Sequence, residues 1–332
     1  MMSTVLLRLA INRLPMLRPH EKALLEEIVD SETFFHALTV GLLSQIVGRS
    51  IRDVPFDARS VLDLARRDAE FLRARTIAAI PVGDTRYPAL LREIFDPPYL
   101  IYVRGTLPDG AIPSVAVVGT REPTAAAVAA ARELGAGIAR SGMPVISGLA
   151  RGIDIAAHRG ALSAGTTGAV LACGIDQVCP SSHRSVAAMI LARGGFLISE
   201  YAPGVAPQKY HFPARNRIIS GMARGVVVVQ APSRSGALIT ADYALDHGRD
   251  LFVHAAGIDG VSGAGTRDLA TDGAMIVGSA DDICAEWGIA PSVTSQTGRP
   301  GTIAEVVNAD DVARSIAART RAELESELRR TV

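Results

Sequence analysis

Residues 115–154 read VAVVGTREPTAAAVAAARELGAGIARSGMPVISGLARGID, and the fold turns on this stretch. Two short β-rich runs, VAVVGT (115–120) and PVISG (144–148), flank a helical pattern that opens at Thr124, a natural N-cap. Continuous Val/Ile/Leu runs suit strands buried on both faces, as in a parallel sheet covered by helices. The rhythm continues through TGAVLACGI (167–175), GGFLISE (194–200), GVVVVQA (225–231), DLFVHA (250–255) and AMIVGS (274–279). The predicted fold class is therefore α/β: an extended Rossmann-like parallel or mixed sheet over 111–287, with helices on both faces.

Working outward, residues 1–80 carry apolar positions at helical spacing, for example in HEKALLEEIVDSETFFHALTVGLLSQIVG. They predict a small all-helical domain, SAM-like or helix-hairpin-helix-like, preceding the sheet. Residues 81–110 are rich in proline and turn residues, end in a short apolar strand at Tyr99–Val103, and read as a connector. Beyond Trp287, residues 288–301 read as a linker, and 302–332 as a short charged helical tail, thin for a domain of its own.

The chain of 332 residues is 48% hydrophobic with 31 glycines, enough for a large core. Its net charge is zero, yet the charge is unevenly spread. Residues 111–240 hold twelve Lys/Arg against five Asp/Glu, whereas 241–290 hold two against nine. Such a chain can present a polarised surface, unless the two sets interleave in space and cancel. The three cysteines lack metal-ligand spacing and read as reduced thiols of a cytoplasmic protein. No apolar run has the roughly 18–20 residues of a membrane span. The apolar start MMSTVLLRLAINRLP is broken by Arg8 and Arg13 and lacks a small-residue cleavage site, so it does not read as a signal peptide.

In sheets of this kind ligands bind beyond the carboxyl ends of the strands. The first such loop offers Gly119, which allows close backbone approach, and Arg121. The second, SGLARGID, offers Ser147, Gly148 and Arg151 at the opening of a helix, where backbone N–H groups favour an anion. A third, SRSGALIT, repeats the construction with Ser235, Gly236 and Thr240. Between them lie Lys209 and then HFPARNR, with Phe212, Arg215, Asn216 and Arg217. Several loops that each pair small residues with arginine suit a polyanion crossing the crevice better than one small phosphate, and Phe212 is placed to stack a base. Other readings remain open: Arg215 or Arg217 pairing with Glu200 or Asp154, Phe212 as core, and His158 as a packed structural histidine.

Missing motifs narrow the function. No G-x-G-x-x-G is followed by an acidic residue some 20 positions on, so no nicotinamide or flavin cofactor is expected. Neither lysine, Lys22 or Lys209, follows a glycine-rich phosphate loop, and no nucleophile elbow or paired CxxC occurs. Ser147 and Ser235 have no histidine evidently placed to activate them. No cofactor and no metal is expected.

At these residues the chain resembles the DNA-processing protein A family (DprA/Smf). The resemblance runs from DTRYPALLREIFDPPYLIYVRG (84–105) through VAVVGTREPT, VISGLARGIDIAAHRGAL, PSSHR (180–184), LISEYAPG, HFPARNRIISG and RSGALITADYAL to GTRDLATDGA. It implies a non-catalytic, cytoplasmic protein that binds single-stranded DNA in a basic pocket, protects incoming strands in natural transformation, loads the RecA recombinase and forms a homodimer. Carried over by motif, the pocket comprises Arg121, Ser147, Gly148, Arg151, Phe212, Arg215, Asn216, Arg217, Ser235, Gly236 and Thr240, with Arg267 of GTRDL at its edge. The chain departs from the family pattern at Cys179, where tyrosine is common, at His254–Gly257, where a V-P-G turn is common, and at Arg267, where asparagine is common. Its short tail leaves the family's winged helix reduced or absent. The enzyme alternative is a nucleoside-monophosphate phosphoribohydrolase on a related Rossmann-like fold. Such enzymes use a P-G-G-x-G-T-x-x-E loop; here SRSGALIT, with no glutamate, stands in its place.

Overall fold

All seven β-rich runs form strands. A computed structural model describes residues 2–52 and 55–289. The linker and tail readings fall almost wholly on 290–332, outside the described residues. Five helices come first: α1 (Met2–Asn12), α2 (Pro19–Ile28), α3 (Glu32–His36), α4 (Val40–Val47) and α5 (Ala58–Ala74). Strand β1 (Ile77–Pro81), helix α6 (Ala89–Arg92) and strand β2 (Leu100–Gly105) lead into the alternating region. There follow β3 (Val115–Val118), α7 (Ala125–Arg140), β4 (Val145–Ser147), α8 (Ile153–Ala161), β5 (Thr167–Val170), α9 (Arg184–Ala192) and β6 (Phe196–Ser199). The order closes with α10 (His211–Gly221), β7 (Gly225–Val228), α11 (Gly236–Asp246), β8 (Asp250–His254), α12 (Ala264–Thr271), β9 (Met275–Val277) and α13 (Ala280–Glu286).

The nine strands make one sheet in the order β1-β2-β6-β5-β4-β3-β7-β8-β9. From β6 to β9 every pairing is parallel; β2 joins β6, and β1 joins β2, antiparallel. The chain winds outward from β3 through β6, then crosses back to lay β7 on the other side of β3. The carboxyl ends of β3 and β7 thus flank the switch point where such sheets open a crevice.

Alternation along the strands serves both faces. Val115 and Val117 pack with Ala131 and Leu134 of α7 and Ala157 of α8, while Ala116 and Val118 pack with Ile218 and Ile219 of α10 and Ala241 of α11. The N-terminal helices share their core with the sheet's antiparallel end: Leu9, Leu25 and Leu62 lie in one cluster with Tyr102, Leu171 and Leu197. Arg13, just past the end of α1, holds buried Asp68 of α5 with two hydrogen bonds of 2.5 and 2.6 Å and also reaches the Pro203 carbonyl.

Two readings are corrected here. The helical pattern assigned to residues 1–80 stops at α5, and residues 77–81 are a strand in register with β2, Ile77 opposite Arg104. The stretch read as a connector supplies β2, which docks on β6 with Tyr102 opposite Ser199. The sheet therefore begins some 35 residues before 111, at Ile77.

Candidate nucleic-acid interface

Three strand-end loops meet at the switch point, laced by backbone and amide bonds. Thr120 N–H donates to the Gln230 carbonyl (2.7 Å), tying the β3 loop to the β7 loop. Ile153 N–H donates to the Thr120 carbonyl (3.2 Å), tying the β4 loop to the same point. The buried Gln230 side chain accepts from Thr124 N–H (2.8 Å), while the Thr124 hydroxyl caps α7 by accepting from Ala127 N–H (3.2 Å). In the β4 loop, Leu149 and Gly152 both take left-handed backbone, with φ of 67° and 81°. A Cβ at Gly152 would stand 2.3 Å from the Thr120 carbonyl oxygen, so only glycine lets the two loops approach this closely. Leu149, by contrast, sustains a conformation unusual for its type, and its carbonyl is held by His183 Nδ1 at 2.8 Å.

The loops enclose a cleft of about 590 Å³ at the ends of β3 and β7, and a second of about 340 Å³ toward the end of β4. Arg121, Ala150, Phe212 and Arg215 line both, so the two form one trough. Eleven of the fourteen residues proposed from sequence line it: Gly119, Arg121, Lys209, Phe212, Arg215, Asn216, Ser235, Gly236 and Thr240 in the first cleft, and Gly148 and Arg151 in the second. Arg121, Arg151 and Lys209 are exposed on its walls. The Arg121 guanidinium lies 5.3 Å from the centre of the half-buried Phe212 ring. Asn216 donates to the Gly236 carbonyl (3.3 Å), and Ser235 caps α11 through Ala237 N–H (3.3 Å).

Arg215 sits beneath this surface, 4% exposed. Its Nη1 donates to the Val170 carbonyl (2.6 Å), and its Nε has no hydrogen-bond partner among the described residues. Its guanidinium lies across Gly148, where a Cβ would come within 1.9 Å of Nη1. Asp154, also on the cleft floor, accepts from Ala150 N–H (3.3 Å). Burial raises the Asp154 carboxyl above its ordinary range, and the nearby Arg215 charge pulls it back. Burial likewise lowers the Arg215 guanidinium, with Asp154 opposing.

Three sequence-based assignments do not reach the trough. Ser147 is fully buried and its hydroxyl donates to the Val117 carbonyl (2.6 Å), cross-linking β4 to β3. Arg217, 8% exposed, turns to Glu200 (2.7 Å) and Asp96 (3.3 Å), the pairing that competes with a ligand role. Arg267 lies on α12 and donates to the Ile258 carbonyl (3.2 Å), lining neither cleft. Conversely, Arg234 is an exposed trough cation, and Asp154 and Gln230 shape the site, though none was selected from sequence. Arg234 was visible in the SRSG loop, whereas Gln230 carried no motif. His158 is buried against Thr167 Oγ1 (2.7 Å) and pushed down to about 3 by burial, so it stays neutral.

The charge separation along the chain is incomplete in space. Asp242, Asp268 and Asp272 line a shallow depression beside the trough together with Arg234. Glu122 borders the second cleft. The trough walls themselves carry exposed Arg121, Arg151, Lys209 and Arg234 against one exposed carboxylate, Glu122. Among the described residues no cluster of His, Cys, Asp and Glu is disposed to hold a metal ion. No helix among them is long and apolar enough to cross a membrane.

Fold and trough define an open Rossmann-like α/β protein whose switch-point crevice is walled by exposed cations. The model of the DNA recombination-mediator protein A family matches residues 78–288, and the chain belongs to that family. It is 37% identical over 263 residues to the DNA processing protein DprA of Streptococcus pneumoniae, covering 79% of this chain and 89% of that protein. The crystal structure of that S. pneumoniae protein superposes with a TM-score of 0.68 at 32% identity, over 83% of this chain and 95% of that one. DNA processing protein A from Helicobacter pylori, whose structure was solved for its single-stranded DNA binding mode, superposes with a TM-score of 0.56 at 27% identity, over 64% of this chain and 95% of that one.

Proposed function

We propose that this chain binds single-stranded DNA along the trough and acts without catalysis, as a cytoplasmic recombination mediator. The observation that carries this reading is the pairing of exposed Arg121, Arg151, Lys209 and Arg234 with the half-buried Phe212 ring on the wall of one preorganised trough. Cations spaced along a groove follow a phosphate backbone, and an aromatic face takes a base without regard to sequence. The Helicobacter pylori relative, named for binding single-stranded DNA, supports the same ligand here. A binding rather than catalytic role is supported by the engaged hydroxyls of Ser147 and Ser235 and by the neutral, buried His158.

The family description as a recombination mediator supports delivery of the bound strand to a recombinase. That the recombinase is RecA and that the chain acts as a homodimer are part of the proposal, drawn from the family resemblance. Fluorescence anisotropy with labelled single- and double-stranded oligonucleotides tests the DNA step, and RecA filament formation on coated single strands tests the delivery step. Tighter binding to the single strand, weakened by Arg121→Ala, is expected. Equal affinity for both forms, unaffected by the substitution, would remove the reading.

A further inference from the structure

Beside the trough lies a second cleft of about 440 Å³, between α1–α2 and the segment leading from β6 into α10. Tyr210 stands at the border. Its neighbour Lys209 lines the trough, while Tyr210 itself and His211 line the cleft. His211 is buried, stacked on Tyr201 (centroids 4.0 Å apart, planes at 23°), and stands perpendicular to Tyr210 (4.6 Å, 82°). Tyr210 is thereby braced at its base yet 70% exposed, whereas Tyr87, Tyr99 and Tyr102 are buried in the core.

Two cations, Arg13 and Lys22, and one carboxylate line the cleft. Its single lining carboxylate, Glu200, is held by Arg217, and its Arg13 is held by Asp68. Lys22 remains. Its ammonium has three N–H donors, of which one goes to the Asn12 carbonyl (2.8 Å), and no second acceptor takes the others among the described residues. Gln208 adds its side-chain amide, with no hydrogen-bond partner among the described residues, to the same wall. Aromatic rings, spare N–H donors and no free carboxylate suit a nucleotide, and the volume falls in the range of small-ligand sites.

We propose that a single strand held in the trough continues over Lys209, stacks a base on Tyr210, and lodges its next nucleotide in this cleft against Lys22. The inference rests on the DNA reading above. It makes the N-terminal helices part of the DNA track, through Asn12 and Lys22.

The test is a binding titration with oligothymidylates of stepwise increasing length on the full chain and its Tyr210→Ala, Tyr210→Phe, Lys22→Met and Arg121→Ala variants. Short strands that fill only the trough should bind Tyr210→Ala as they bind the parent. On longer strands the parent should gain about fivefold or more from the added stack, a gain absent in Tyr210→Ala and kept in Tyr210→Phe. Lys22→Met should lose part of the same gain. If Tyr210→Ala and Lys22→Met track the parent at every length while Arg121→Ala is weakened throughout, the trough stands and the extension falls. If Arg121→Ala is also unchanged, the DNA reading itself fails and takes the extension with it.

Discussion

Arg215 and Arg217 stand two positions apart on α10, yet the fold gives them different work. Arg217 is a buried ion-pair partner of the partly buried Glu200, so Arg217→Ala should cost roughly 3 kcal/mol of stability, read by chemical denaturation, by removing the hydrogen-bonded partner of that carboxylate. Arg121 and Arg234 are exposed on the trough, and replacing either with alanine should leave stability unchanged. Each replacement should flatten the dependence of log affinity on log salt for a single strand by about 0.7. A stable Arg217→Ala protein would overturn the first assignment, and an unchanged slope the second. Gly148→Ala would drive a methyl group into the Arg215 guanidinium, and loss of both stability and DNA affinity is expected, measured by melting and anisotropy. At this scale the sequence made most of the site legible, because arginines beside small residues at strand ends advertise an anion site. Which arginine faces the ligand was not legible. The sequence shows Arg217 beside the same motif as Arg215, but only the packing of α10 against Glu200 and Asp96 shows where it turns.

The strand-end loops act as one unit because Thr124 and Gln230 fasten them. Thr124→Ala removes both the α7 cap and the hydroxyl that Gln230 contacts, and should lower stability by about 1 kcal/mol in a denaturation series. Gln230→Ala should leave Thr124 N–H without its acceptor and weaken single-strand binding even though its buried side chain is not aimed at the ligand; unchanged affinity would show that the loops hold their positions without it. The seven parallel strands were legible as β-branched runs. Strand β1 was not, because IAAIP continues the apolar spacing of α5, and five residues are too few for periodicity to separate helix from strand. Its identity comes from a partner 23 residues later, Pro81 opposite Leu100 at the near end and Ile77 opposite Arg104 at the far end, a long-range fact that local pattern cannot carry.

Across the whole molecule, the N-terminal helices and the sheet share a core, and Lys22 sits where they meet. Burial lowers its ammonium from 10.5 to about 8. The unfolded chain therefore binds more protons than the folded one between these values, and stability should rise with pH from about 8. Near 10 the slope should turn, because burial holds Tyr99 and Tyr102 neutral in the fold while unfolded tyrosines ionise. Lys22→Met should abolish the rise in a pH series of melting temperatures; a variant that keeps it would place the titration elsewhere. The zero net charge hides the basic trough at this scale, since Asp242, Asp268 and Asp272 balance it along the chain while lying beside it rather than in it. The most direct measurement is anisotropy of matched single- and double-stranded oligonucleotides against the parent and an Arg121→Ala, Arg151→Ala double variant at two salt concentrations. The account predicts tighter binding of the single strand, with affinity and salt slope both reduced in the variant. Equal binding of both DNA forms, with the parent's salt slope kept in the variant, would contradict it.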